Sequence, residues 1–248
     1  MYDKNYFWMR EIDSNKNIGY RVFSKKHLLM LLVVVLFTFF ITLIYIHANA
    51  ETQSMIRKVT ALTLMVSEAI KLLVIYLNHG DALNYIPIEI CSFGAYCIVV
   101  DAFNPNITFI RVMLLVLFLP AAIMALIYPT TDALPVWNFF TLHQFLFHGL
   151  IIAYVTMRFV FREISIDYGD VWKSIFTILC IACIVYIIDR LTNRNYMFLT
   201  GDENNSMLKR LTTISGGGVK YTLLLVLFCI FMIHVFYFVF KCIEILLF

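Results

Sequence analysis

Cys91 stands near the front of an apolar run, in the string Ile86-Pro87-Ile88-Glu89-Ile90-Cys91-Ser92. His143 and His148 lie inside another apolar run further along the chain. Polar and reactive groups at membrane depth are costly and tend to be functional. A thiol with an imidazole base is the pairing that forms and breaks thioesters. The chemistry these residues point to is therefore acyl transfer, with Cys91 as nucleophile. Pro87 suits a first helical turn. It puts Cys91 close to unpaired backbone amides and the positive end of the helix dipole, which favours thiolate. Helix amides or Ser92 are candidate donors to the carbonyl oxygen. A carboxylate at Glu89 acts in the opposite direction.

The plainer readings stand beside this one. A lone buried cysteine is usually a small core residue, which is the reading for Cys97, Cys180, Cys183, Cys229 and Cys242. Cys180 and Cys183 have a CxxC spacing but sit within an apolar helix, away from a redox context. Intramembrane histidines often serve as helix–helix hydrogen-bonding residues. Glu68 and Lys71, at i and i+3, make an intrahelical ion pair or help bind a substrate. Asp189 and Arg190 read as interfacial anchors. Thr141, Gln144 and His148 share one helix face, whereas His143 points elsewhere. A metal site could draw on His143, His148, Glu68 and Asp189, yet no local ligand motif supports one. No cofactor is expected.

The elements that position these groups are membrane helices. The chain is 62% hydrophobic and 14% charged, against roughly 25% charge in a soluble domain. Its apolar residues fall into long runs near 28–49, 58–78, 85–103, 107–128, 136–160, 171–192 and 220–247, each close to the ~20 residues that cross hydrocarbon. The runs lack the alternation of a membrane barrel. The fold class is all-α: a polytopic membrane helical bundle of about seven transmembrane helices. A polar segment at 1–26 precedes one transmembrane domain at 27–248, which carries a loop near 193–219 that reads as mobile. The first segment is too polar for a signal peptide, so the first span is expected to be retained. The net charge of +3, without a dense basic block, argues against nucleic-acid binding. The six cysteines are scattered and suggest no disulfide framework. Asn106-Ile107-Thr108 and Asn204-Asn205-Ser206 match the glycosylation pattern.

Basic residues set the orientation. Lys4, Arg10, Lys16, Arg21, Lys25 and Lys26 precede the first span, and Arg57 and Lys58 follow it. A cytoplasmic N-terminus in a multi-pass integral cell membrane protein is the expectation. Arg194, Lys209 and Arg210 agree with it; Arg158, Arg162 and Lys173 oppose it. With seven spans, Glu68, Lys71, Cys91, His143, His148, Asp189 and Arg190 share one layer on one side of the bilayer. Cys91 falls roughly 10 Å inside the third helix at 1.5 Å per residue.

Three patches carry a family resemblance. They are Pro87-Ile88-Glu89-Ile90-Cys91; Tyr128-Pro129 with His148-Gly149 after an aromatic stretch; and Asn195-Tyr196-Met197-Phe198-Leu199, shortly after Asp189-Arg190. In order and spacing, over about residues 30–245, the chain resembles the YwaF family of bacterial integral membrane proteins. That family's animal relatives are transmembrane acyltransferases that remodel ether phospholipids, and the androgen-induced lipid hydrolases are more distant fold relatives. The resemblance implies a helical bundle and transfer of a fatty acyl group from a phospholipid to a lipid acceptor through a thioester. Cys91 takes the nucleophile position and His148 the base position, with His143 a second candidate. Asn195 and Tyr196 would close the site from the loop. Glu89, Gln144, Glu68 and Lys71 complete the expected substrate contacts. Membrane lipids are the expected partners as substrates; protein partners are not indicated. Two alternatives stay open. One is a lipid ester hydrolase using the same site with water as acceptor. The other is a non-enzymatic small transporter or membrane partner protein in which Glu68, Lys71 and the histidines line a polar path.

Overall fold

The computed structural model describes residues 6–10, 18–201 and 206–247. Lys4, Lys16 and the Asn204-Asn205 part of the second glycosylation pattern lie outside them. Six helices are long and apolar enough to cross a membrane: α1 (Lys25–His47), α2 (Ala50–Leu77), α4 (Thr108–Ile127), α5 (Phe139–Val160), α6 (Tyr168–Thr192) and the last, α8, which begins at Gly218. A shorter apolar helix, α3 (Ile90–Phe103), lies between α2 and α4. A further helix, α7 (Ser206–Ser215), precedes α8 (Gly218–Leu247). This is the multi-pass helical bundle that the apolar runs predict.

Side chains from the turns begin the helices. Ser24 Oγ accepts the His27 amide at the start of α1. Asn49 Oδ1 accepts the Thr52 amide at the start of α2. Asn138 and Asp167 cap α5 and α6 in the same way. Such oxygens satisfy amides that the helix itself leaves unpaired. α2 starts at Ala50, well before the apolar run near 58. Its polar first turns are stabilised by the Asn49 cap and by partners for Arg57, which hydropathy does not register. α6 ends on Asn193 in the left-handed conformation, φ 54°, a residue type that tolerates it.

The residues fall into two compact units. The first holds residues up to Leu83 together with Ala121–Glu163, hence α1, α2, the last turns of α4, and α5. α1 runs along α5, and α2 packs on the same helix. Gly149 lets α1 approach: a Cβ there would meet the Val34 methyls at 3.4 Å. Tyr20, Phe145 and Leu126 form a core with Met30, Leu31 and Val34 against it. His27 is fully buried and bonded through both ring nitrogens. Nδ1 takes the Phe23 amide at 2.9 Å, so Nε2 carries the hydrogen donated to the Leu126 carbonyl at 2.8 Å. The opposite faces of α1 and α2 expose Leu29, Val33, Phe40, Leu62 and Leu73, as lipid-facing surfaces do.

The second unit holds Asn84–Pro120 and Ile164–Phe248. α4 is not a regular helix: residues Leu114–Phe118 form a π turn, in which the Leu119 amide reaches the Leu114 carbonyl. Pro120 explains it. A proline within a helix has no amide to donate and crowds the carbonyl four residues back, and widening the preceding turn relieves that crowding. The π turn packs against α3 and α8. The contact is close at Gly94, where a Cβ would lie 3.1 Å from Phe118 side-chain atoms. Gly94→Leu is expected to cost about 1–3 kcal/mol through overpacking. Thermal unfolding in detergent measures it, and an unchanged midpoint would mean that α3 and the π turn separate freely.

Within the 193–219 segment the structure forms α7, closed by Gly216 with φ 77°, whose amide bonds the Thr212 carbonyl at 2.9 Å. The helix is polar on average, so a search for apolar runs passes over it.

Candidate functional site

In the first unit the polar layer is built by α2 and α5. Lys71 Nζ lies 2.7 Å from Glu68 Oε2, and His143 Nε2 lies 3.5 Å from Glu68 Oε1. One turn of α2 makes the first contact, since i and i+3 face each other. The second depends on the packing of α5 against α2. All three side chains are largely buried, where a charge without a partner costs several kcal/mol. Phe147 stacks on the His143 ring at 5.7 Å between centroids and limits its rotation.

His148 faces another way. Its Nδ1 lies 2.8 Å from the Gln144 carbonyl oxygen. A carbonyl only accepts, so Nδ1 carries the hydrogen and Nε2 is the basic nitrogen of the neutral ring. This is the tautomer a general base needs if Nε2 meets the substrate. Gln144 donates Nε2–H to the Ala125 carbonyl at 3.0 Å. Its Oε1, and the Oγ1 of fully buried Thr141, have no hydrogen-bond partner among the described residues. Buried polar atoms in that state are uncommon in folded proteins. Here they lie on the α5 face that also carries His148.

In the second unit α3 starts at Ile90, later than the run beginning near 85. Pro87 fixes its own φ and disfavours helix at Ile86. The Ile88 amide folds back onto the Ile86 carbonyl at 2.8 Å, and Tyr96 Oη donates to the Pro87 carbonyl at 2.8 Å. A short 3₁₀ turn, Ala82–Tyr85, precedes this bend. Glu89 becomes the N-cap, and its side chain makes no capping bond. Cys91 is therefore in the first turn of α3 rather than two turns inside it, buried with 8% of its surface exposed beside Ser92 at 3%. The first turn is where helix amides point at an anion. The placement of Pro87 in the helix is corrected, and Cys91 lies closer to the dipole end than its spacing implied.

Asn195 and Tyr196 follow α6. Asp189 Oδ1 accepts the Tyr196 amide at 3.0 Å, and the Arg194 amide bonds the Asp189 carbonyl at 3.1 Å. Asp189 is buried at 1% exposure, so it ties the loop to the helix end instead of anchoring at an interface. Asn195 spans the loop with both ends of its amide: Nδ2 donates to the Gly201 carbonyl and Oδ1 accepts the Thr200 amide, each at 2.9 Å. Tyr221 Oη and Thr222 Oγ1 of α8 hold the Phe198 and Leu199 carbonyls. Arg194 hydrogen-bonds Asn84 Oδ1, joining this loop to the turn that leads toward α3. Cys91, Asn195 and Tyr196 thus belong to the same end of the second unit. Asn195→Ala is expected to cost about 1–3 kcal/mol of local order, from two part-buried hydrogen bonds at about 0.5–1.5 kcal/mol each. Hydrogen exchange at 195–201 should rise while α6 stays protected; unchanged exchange there would show that Asp189 alone holds the loop.

At the far end of α3, Asp101 is buried against Arg111 Nε at 3.0 Å. Thr108 and Lys173 both bond Asp170. These pairs join α3, α4 and α6 away from Cys91.

Sequence reading missed one network of the first unit. Glu163 Oε2 lies 2.7 Å from Arg158 Nε and accepts the Tyr45 hydroxyl at 2.7 Å. Arg57 Nη1 donates to Tyr45 Oη at 2.6 Å and reaches Glu163 Oε1 at 3.4 Å. The local signal was an arginine in the last turn of an apolar helix with a glutamate five residues on. Tyr45 and Arg57 are over a hundred residues away, beyond any spacing rule.

Among the described residues no group of three or more His, Cys, Asp and Glu side chains is arranged to hold a metal ion. The six cysteines are free thiols. No curated protein and no solved structure matches the chain. The family model described as TMEM164 family matches residues 22–240, which takes in α1 to α7 and most of α8. The chain is a multi-pass membrane protein and belongs to the TMEM164 family.

Proposed function

We propose that the protein is an intramembrane acyltransferase that moves a fatty acyl group from a phospholipid to a lipid acceptor through a thioester on Cys91. The observation that carries this reading is the position of Cys91, a buried thiol in the first turn of a short apolar helix that starts behind Pro87. Membership of the TMEM164 family is compatible with it, as is the resemblance to the YwaF proteins and their acyltransferase relatives. Cys91 Sγ attacks the ester carbonyl while a base takes the thiol proton. His148, with Nε2 as its basic nitrogen, is the base the resemblance names; His143 is the second candidate. The carbonyl C–O bond breaks, the lysolipid oxygen leaves with that proton, and a thioester remains. An acceptor hydroxyl then loses its proton to the base and attacks the thioester. The C–S bond breaks and the thiol is restored. With water as acceptor the same steps make a lipid ester hydrolase. Glu89, Gln144, Glu68, Lys71, Asn195 and Tyr196 are the proposed substrate contacts. We also assign the protein to the cell membrane with its N-terminus cytoplasmic.

Mass spectrometry of the intact protein, gently extracted and treated with or without neutral hydroxylamine, tests the intermediate. A fatty-acyl mass on wild type, removed by hydroxylamine and absent from Cys91→Ala, is expected. Its chase onto an added lysolipid separates an intermediate from a static modification. An adduct that survives in Cys91→Ala would place the nucleophile elsewhere.

The Glu68–Lys71–His143 contacts favour a second reading, a transporter or partner protein with a polar path. The two separate by mutation. Loss of Cys91 should stop acyl transfer and spare transport, whereas loss of Glu68 or Lys71 should stop transport.

A further inference from the structure

The network of Arg57, Tyr45, Arg158 and Glu163 stands apart from the residues assigned to acyl transfer. On α5, Arg158 is 15 residues beyond His143, about 22 Å along the helix axis. Arg158 and Tyr45 are its floor, at 2% and 0% exposure. Arg57 and Glu163 are its open side, with side-chain exposures of 12% and 22%. Two guanidinium groups share one carboxylate. Guanidinium groups this well buried are costly unless hydrogen-bond acceptors and anions satisfy them.

The hydrogen bonding points the same way. One oxygen of Glu163 lies 2.7 Å from both Arg158 Nε and Tyr45 Oη, and Arg57 Nη1 stands 3.4 Å from the other. Arg57 Nε is buried and has no hydrogen-bond partner among the described residues. Guanidinium edges of this kind match the paired oxygens of a phosphate. The surroundings are apolar: the Tyr45 ring lies 5.6 Å from Phe161, and Phe161, Val160 and Ile44 are exposed. Tyr45, Arg57 and Arg158 all lie near helix ends, the level of lipid headgroups in a spanning bundle.

We propose that Arg57, with Arg158 and Tyr45 behind it, binds the phosphate of an anionic lipid headgroup while Glu163 stays on Arg158. The phosphodiester takes the unused Nε–H of Arg57, and its acyl chains lie along Ile44, Val160 and Phe161. A free phosphate offers the same oxygens and lacks the chains.

Thermal unfolding of the full-length protein in an uncharged detergent tests this, with short-chain phosphatidylglycerol, short-chain phosphatidylcholine and inorganic phosphate as separate additives. Phosphatidylglycerol is expected to raise the wild-type midpoint by about 2–4 °C or more and the other two by less. Glu163→Gln, which removes the competing carboxylate, should show a larger shift at the same lipid concentration. Arg57→Gln should show none. If that variant does not fold, Arg57→Lys keeps the charge and loses the planar edge, and its apparent affinity should fall at least ~10-fold. No shift in either wild type or Glu163→Gln would overturn the proposal, as would a full shift in Arg57→Gln or Arg57→Lys. An equal shift with inorganic phosphate would overturn the lipid assignment.

Discussion

Cys91→Ala is expected to abolish acyl transfer from a phospholipid donor, a fall of at least ~10³-fold, because no other group takes over a covalent step once its nucleophile is removed. Cys91→Ser should fare little better. A serine hydroxyl in the first turn of α3 keeps the size and the helix amides but is a far weaker nucleophile without a strong adjacent base. His148→Gln should lose about 10²–10⁴-fold, the usual worth of a positioned acid–base group, while protein yield and unfolding midpoint stay near wild type. The double variant is the sharper test. Residues that act on one step are not additive, so Cys91→Ala with His148→Gln should be no worse than Cys91→Ala alone. A measurable further fall from the second change would mean that His148 serves another purpose. Initial rates with a radiolabelled donor and a lysolipid acceptor in vesicles give all four values.

Glu68→Gln is expected to destabilise the protein by about 3–5 kcal/mol, the cost of leaving one member of a buried ion pair alone. Lys71 then keeps its charge on α2 with its 2.7 Å partner gone, and His143 loses its 3.5 Å contact. Glu68→Gln with Lys71→Met removes both charges and should recover most of the loss, because an apolar pair of similar volume often replaces a buried ion pair at little cost. The coupling between the two positions, read from the double-mutant cycle, should reach about 1–3 kcal/mol. Denaturant or thermal unfolding in one detergent measures it. A single variant within ~0.5 kcal/mol of wild type would mean that Lys71 reaches water and that the pair contributes only what surface pairs do.

The sequence by itself determined that this chain is a bundle of membrane helices. Hydrocarbon accepts a backbone only when its polar groups are bonded within the segment, so runs of about 20 apolar residues leave no other fold. It also determined what short spacing controls: the Glu68–Lys71 contact, because residues three apart share a helix face, and a helix start near Cys91, because Pro87 breaks the chain just ahead of it. Tertiary structure decided the rest. That α3 starts at Ile90 depends on Tyr96 holding the Pro87 carbonyl. That His143 joins Glu68, while His148 turns to the Gln144 carbonyl, depends on how α5 lies against α2. That the Asn195 amide spans a loop whose far end is Gly201 depends on the fold of that loop after α6. Arg57, Tyr45, Arg158 and Glu163 come from the ends of separate helices, and no local pattern joins them. Periodicity records which face of a helix avoids water, whereas the partner that face meets is set by packing between distant segments.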